Sequence, residues 1–230
     1  MRWTAANQVT VGRIFIAAAF FVVVGLYDID SNAHPHLLGA GFVLYVVAAL
    51  SDILDGYLAR SRNEVSAFGR VADPIVDKVL VVGAFAMLAG PDYAMQPGMY
   101  PIPESWPHWT TGDMASLIQP WMVVVIVARE FIVSAVRGYS ETLGIPFPAM
   151  GAGKAKMFAQ SVAIAGVLFT QGWLPGAAWA WYICVVAVWT SVLLTVGSGL
   201  LYLYKARGVF AKGDEQLMQA AQHEPSDDEA

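Results

Sequence analysis

D-I-L-D-G-Y-L-A-R at residues 52–60 and G-R-V-A-D-P-I-V-D at 69–77 are two parts of one stretch, Asp52 to Asp77, with eight residues between them. It carries four carboxylates, Asp52, Asp55, Asp73 and Asp77, in a chain that is only 13% charged. On helices, Asp52 and Asp55 stand at i and i+3, and Asp73 and Asp77 at i and i+4, so each pair shares a face. Two helices joined by a short turn can therefore aim four acidic side chains into one space. Like charges repel there, and unless some are protonated the cluster asks for cations. Carboxylates without His or Cys nearby favour a hard ion such as magnesium, manganese or calcium.

Working outward, the stretch lies between long apolar runs. The 230 residues are 57% hydrophobic, with a mean hydropathy of +0.54. That composition excludes an ordinary soluble domain and predicts an integral membrane protein. The expected architecture is all-α, six transmembrane helices with a polar bowl facing the cytoplasm. The spans are expected at about Arg13 to Tyr27, Leu37 to Arg60, Asp73 to Gly90, Trp121 to Tyr139, Lys154 to Phe169 and Gly176 to Tyr204. Residues 1–12, with Arg2 and Trp3, read as an interfacial entry. No small-residue cleavage site clearly follows the first run, which is read as a retained helix. Pro74 suits the first turn of the third span. The 91–120 segment, rich in Pro, Trp and Tyr, reads as an interfacial loop with room for a short helix. The membrane domain is expected over 1–204. The polar, acidic tail 205–230 reads as an amphipathic stub followed by disorder. The single cysteine, Cys184, reads as a buried, inert thiol.

The basic residues test the six-span scheme. Alternating spans place all 13 Lys and Arg on one side, and the opposite loops carry Asp28, Asp30, Asp92, Glu104 and Asp113 instead. The positive-inside rule makes the basic side cytoplasmic, with both termini there, and puts the aspartates at that face. Ionisable residues inside a membrane are costly and are functional candidates by default. They recur at the cytoplasmic span ends: Asn7, Thr10 and Arg13; Asp52, Asp55 and Arg60; Asp73, Asp77 and Lys78; Arg129, Glu130 and Arg137; Lys154 and Lys156. Carboxylates on two helices and basic residues on others suit a metal ion holding a pyrophosphate while Arg and Lys hold further phosphate oxygens. Simpler readings apply to some positions. Lys78, Arg62, Lys205 and Arg207 read first as snorkelling anchors. Ala59 reads as a packing residue, and Glu130 can serve simply as a partner of Arg129 or Arg137.

Asp52, Asp55-Gly56, Ala59-Arg60, Gly69, Asp73 and Asp77 fit D-x2-D-G-x2-A-R-x8-G-x3-D-x3-D at every fixed position. In this the chain resembles the CDP-alcohol phosphotransferases. The resemblance implies a six-helix membrane enzyme, a homodimer, using two Mg2+ or Mn2+ ions to move a phosphatidyl group from CDP-diacylglycerol to an alcohol with release of CMP. It implies metal ligation by Asp52, Asp55, Asp73 and Asp77, and Asp77 as general base. It also implies a CDP-lipid site at Gly56, Arg60 and Ser66, with Asn7 and Thr10 closing over the nucleotide. Looser matches at Asn7/Thr10/Arg13, 72–81, 128–137 and 153–156 resemble members whose acceptor is glycerol 3-phosphate. A phosphorylated acceptor needs its own cations, and Arg129, Arg137, Lys154 and Lys156 are the candidates. The chain departs from those members at Met157, where Thr is common, in a less polar 138–152 loop, and in a longer 91–120 segment.

Inositol phosphate is the alternative acceptor. A divalent-metal transporter is the alternative from another class, but it would need acids near mid-span and a polar path on both sides. No nucleic-acid partner is expected. The absence of targeting signals and the bare six-span chain point to a bacterial inner membrane.

Overall fold

The computed structural model describes residues 5–28, 35–62, 67–94, 114–146 and 151–223, and for 5, 6, 35, 53–62, 67–74, 216, 217 and 220–223 only the backbone. Arg2, Trp3, Asp30, Ser66, Glu104, Asp113, most of the 91–120 segment and the acidic end of the tail lie outside the described residues. Among the described residues the protein is all-helical, with six α-helices: α1 Ala5–Gly25, α2 Pro35–Arg62, α3 Ala67–Leu88, α4 Pro120–Thr142, α5 Gly151–Trp173 and α6 Ala178–His223.

The helices close into a ring. α1 packs on α2 and α3, α2 on α5, α5 on α6, and α6 on α4; a lighter α3–α4 seam completes it. The inside is apolar, with Phe20, Leu38, Phe85, Met122, Ile126, Ile164 and Val188 buried. The outside is apolar as well: Phe15, Phe131 and Phe158 are each more than 70% exposed. A helix that is hydrophobic all round needs an apolar surrounding on its outer face. Among the described residues two stretches, Asn7–Gly25 and Ala178–Glu215, are long and apolar enough to cross a membrane, and His36–Asp52 is a shorter apolar run. α4 and α5 carry charges within their length, Arg129, Glu130 and Arg137 on one and Lys154 and Lys156 on the other, which dilutes their apolar signal.

The α2–α5 crossing depends on glycine. A Cβ on Gly172 would stand 2.8 Å from the backbone nitrogen of Gly39. Backbone cannot step aside as a side-chain tip can, so Gly172→Val should destabilise by about 1–3 kcal/mol through overpacking. Gly166→Ala, whose new methyl would meet Cys184 Sγ at an ordinary 3.7 Å, serves as the neutral control. Thermal unfolding in detergent checks the pair.

Several boundaries differ from the sequence reading: α1 starts at Ala5 and not at Arg13, and α5 ends at Trp173 and not at Phe169. α3 starts at Ala67, so Pro74 lies inside the helix and not in its first turn. It has no N–H for the carbonyl of Arg70, four residues back. The segment after α3 forms a 3₁₀ turn, Pro91–Tyr93, and an isolated bridge between Ala94 and Met114. Tyr93 donates to the Val24 carbonyl at 3.3 Å and Gln171 to that of Ala115 at 2.7 Å, which pins both ends of the loop to the bundle. Lastly, α6 does not end near Tyr204 but continues to His223. Its 46 residues span about 69 Å at 1.5 Å per residue, about twice the thickness of a bilayer's hydrocarbon core. Tyr202, Ala206, Val209 and Gly213 form the buried edge of this extension. Phe210 meets the ring of Tyr139 on α4 at 5.8 Å.

Candidate active site

The site is built from the α1–α2 pair upward. Asn7, Thr10 and Arg13 fall at successive i+3 positions on α1, so they share one face. All three are buried. Arg13 is 1% exposed and pairs with Asp52 Oδ1 on α2. That pair fixes the first aspartate of the motif against α1, while the Asp52 carboxylate stays 41% exposed. Asp77, on α3, is half-buried, and among the described residues Asp52, Arg13, Lys156 and Glu130 are close enough for their charges to act on it. Five charged groups from α1 to α5 therefore converge on one end of the ring.

Beside Asp77 stands the α4–α5 charge cluster. Glu130 Oε1 accepts from Arg129 Nη1 at 2.9 Å and from Lys156 Nζ at 2.5 Å. The Arg129 guanidinium lies 5.3 Å from the centre of the Tyr202 ring on α6. A cavity of about 490 Å³ opens next to it, lined by Arg129, Arg137, Lys154, Lys78, Glu130 and Tyr202 among others. Lys78 Nζ donates to Ser134 Oγ at 2.7 Å and so bridges α3 and α4 at the cavity rim.

Three of the four residues expected for the acceptor, Arg129, Arg137 and Lys154, thus surround one cavity. Lys156 is not among its described lining residues; it is 3% exposed and bonded to Glu130. Asp55, Gly56, Arg60 and Asp73 lie on helical backbone, with side chains outside the described residues, and Ser66 lies wholly outside them. Arg13 and Lys78, named among the polar span-end groups but given no role there, and Tyr202, not singled out by sequence, also belong to the site. Arg13 had a usable signal, its i+3 register with Thr10. Lys78 had one too, since it directly follows Asp77. Tyr202 had none, because its contact depends on how α6 meets α4.

Chemically, the Asp52 and Asp77 carboxylates offer only oxygen donors and suit a hard divalent cation. The cavity is lined by four cations, Lys78, Arg129, Arg137 and Lys154, against two carboxylates, Glu130 and Glu141, an excess of positive charge that suits a phosphate.

A family model described as CDP-alcohol phosphatidyltransferase matches residues 3–197. The chain belongs to the CDP-alcohol phosphatidyltransferase family. Among its relatives is a Bacillus subtilis (strain 168) protein named CDP-diacylglycerol–glycerol-3-phosphate 3-phosphatidyltransferase, 30% identical over 86% of this chain and 93% of that one. Proteins of the same name from Shigella flexneri serotype 5b and Salmonella paratyphi A are 32% and 33% identical, each over 90% of this chain and 97% of their own length. The matched region runs through all five helices that supply charged groups to the site and ends within α6.

Proposed function

We propose that this enzyme transfers a phosphatidyl group from CDP-diacylglycerol to sn-glycerol 3-phosphate, giving phosphatidylglycerol phosphate and CMP. The observation that carries the acceptor assignment is the cationic cavity beside Asp77, separate from the Arg13–Asp52 pair. A neutral acceptor would leave Arg137 and Lys154, for which no ion pair is seen among the described residues, without a task at the cavity. The names of the relatives support the same reading.

Asp52, Asp55, Asp73 and Asp77 would hold two divalent ions, magnesium or manganese, and the all-oxygen donor set and the exposure of Asp52 fit them. When bound, such ions supply charge neutralisation for the pyrophosphate and the departing CMP. Gly56, Arg60, Ser66, Asn7 and Thr10 would hold the CDP part. Arg129, Arg137 and Lys154 orient the acceptor by its phosphate, with Lys78 at the rim. Asp77 takes the proton of the acceptor's 1-hydroxyl. The freed oxygen bonds to the phosphorus that carries diacylglycerol, and the bond from that phosphorus to the oxygen of CMP breaks. CMP leaves with the bridging oxygen.

The lipid tails stay in the bilayer, which explains an apolar outer face on a polar site. The same reading makes the six helices six spans of a bacterial inner membrane, with the site and both termini cytoplasmic and the enzyme a homodimer. Purified enzyme given CDP-diacylglycerol with glycerol 3-phosphate, inositol phosphate or serine tests the acceptor. CMP release should be fast with the first alone; faster release with either of the others would overturn the assignment.

A further inference from the structure

We infer that Glu130 is a positioning residue of the acceptor cavity, acting through Arg129. This rests on the reading of the cavity as the acceptor site.

Arg129 and Glu130 are consecutive on α4, and consecutive helical side chains do not face each other. Their 2.9 Å contact therefore requires the Arg129 side chain to curl round the helix. Three features hold it there: Glu130 Oε1, the face of Tyr202, and Gly199, where a Cβ would stand 3.2 Å from Arg129 Cγ. The result is a guanidinium fixed in orientation at the cavity wall. Its Nε is buried and has no hydrogen-bond partner among the described residues.

Glu130 has a second task in the same geometry. Lys156 reaches Glu130 from α5, so one carboxylate oxygen carries two buried cations on two helices. Without that negative charge, Lys156 and Arg129 would repel each other, and Arg129 would lose the contact that fixes its orientation at the cavity wall. Glu130 itself is a poor phosphate contact, since like charges repel. Its contribution to acceptor binding is indirect: it sets where Arg129 points and keeps Lys156 on the Asp77 side, in range of that carboxylate. The sharing of one oxygen also explains why Lys156 is missing from the lining of the cavity that its sequence position suggested.

The test uses the full-length enzyme in detergent–lipid micelles with CMP release as readout. Wild-type turnover with glycerol 3-phosphate is measured first, which separates failure of this inference from failure of the acceptor assignment. Glu130→Gln should raise the KM for glycerol phosphate about tenfold with the KM for CDP-diacylglycerol unchanged, and should lower the melting temperature because two buried cations lose their shared partner. Glu130→Asp, which keeps the charge, should restore most of the loss. In combination with Arg129→Ala, Glu130→Gln should add nothing to the effect of Arg129→Ala alone, because the two act as a unit. Should the Gln variant fail to fold, Glu130→Asp carries the test with a smaller rise in the same KM. An unchanged acceptor KM, an equal rise for both substrates, or independent effects in the double variant would each overturn the inference.

Discussion

Asp77→Asn should lower kcat by about a thousandfold while leaving CDP-diacylglycerol binding close to that of the unaltered enzyme, the scale expected for removing a positioned general base. The argument is one of place. Asp52 is tied to Arg13 on one side of the site, whereas Asp77 lies where the α1–α2 charges and the α4–α5 charges overlap. A hydroxyl on an acceptor anchored by Arg129 and Arg137 has to approach from the α4 side, and Asp77 is the described carboxylate of the motif nearest that approach in charge. The amide keeps the shape and one oxygen donor but cannot take a proton at neutral pH. Competition by CMP or a CDP-lipid analogue measures binding, and single-turnover CMP release measures chemistry. Turnover within about tenfold of the unaltered enzyme would remove Asp77 from the role of base.

Arg137→Ala should raise the KM for glycerol 3-phosphate by about 10- to 100-fold, the scale of one lost charge-assisted hydrogen bond of about 1.5–3 kcal/mol. The KM for CDP-diacylglycerol should stay constant. Arg129, Val133 and Arg137 follow one another at i+4 on α4, so both arginines look into the same cavity. Arg137 is exposed and makes no contact that holds the fold among the described residues, so its removal should not move the melting temperature. Arg137→Lys should recover only part of the loss, because a point charge replaces a planar fork. An equal rise for both substrates would place Arg137 in the nucleotide site instead.

The spacing of the four aspartates predicts two helices joined by a short turn, and α2 and α3 are separated by residues 63–66 alone; the side chains of Asp55 and Asp73 lie outside the described residues. The polar face of α1 was legible for the same reason: Asn7, Thr10 and Arg13 share a register that an apolar span has no use for. What periodicity does not encode is which helix a face will meet. Glu130 was readable as a partner for an arginine, but its second bond crosses to Lys156 on α5, and that depends on the order of helices in the ring. Lys78 looked like an anchor because a lone lysine at a span end usually is one; its bond to Ser134 follows from the α3–α4 seam. The extension of α6 had a visible signal that composition masked. Tyr202, Ala206, Val209 and Gly213 recur at four, three and four residues within a polar segment, a helical edge narrow enough to be covered by the end of α4. Pro74 misled in the opposite direction, since proline marks a helix start more often than it is carried inside one.

The central claim is that the acceptor's own hydroxyl oxygen attacks the phosphorus of the CDP-lipid at this site. Glycerol 3-phosphate labelled with ¹⁸O at its 1-hydroxyl, incubated with CDP-diacylglycerol and the purified enzyme, measures this directly by mass spectrometry. The account predicts phosphatidylglycerol phosphate and CMP in equal amounts, with the label in the lipid and none in the CMP. Absence of the labelled lipid, or CMP formed without it, would contradict the account.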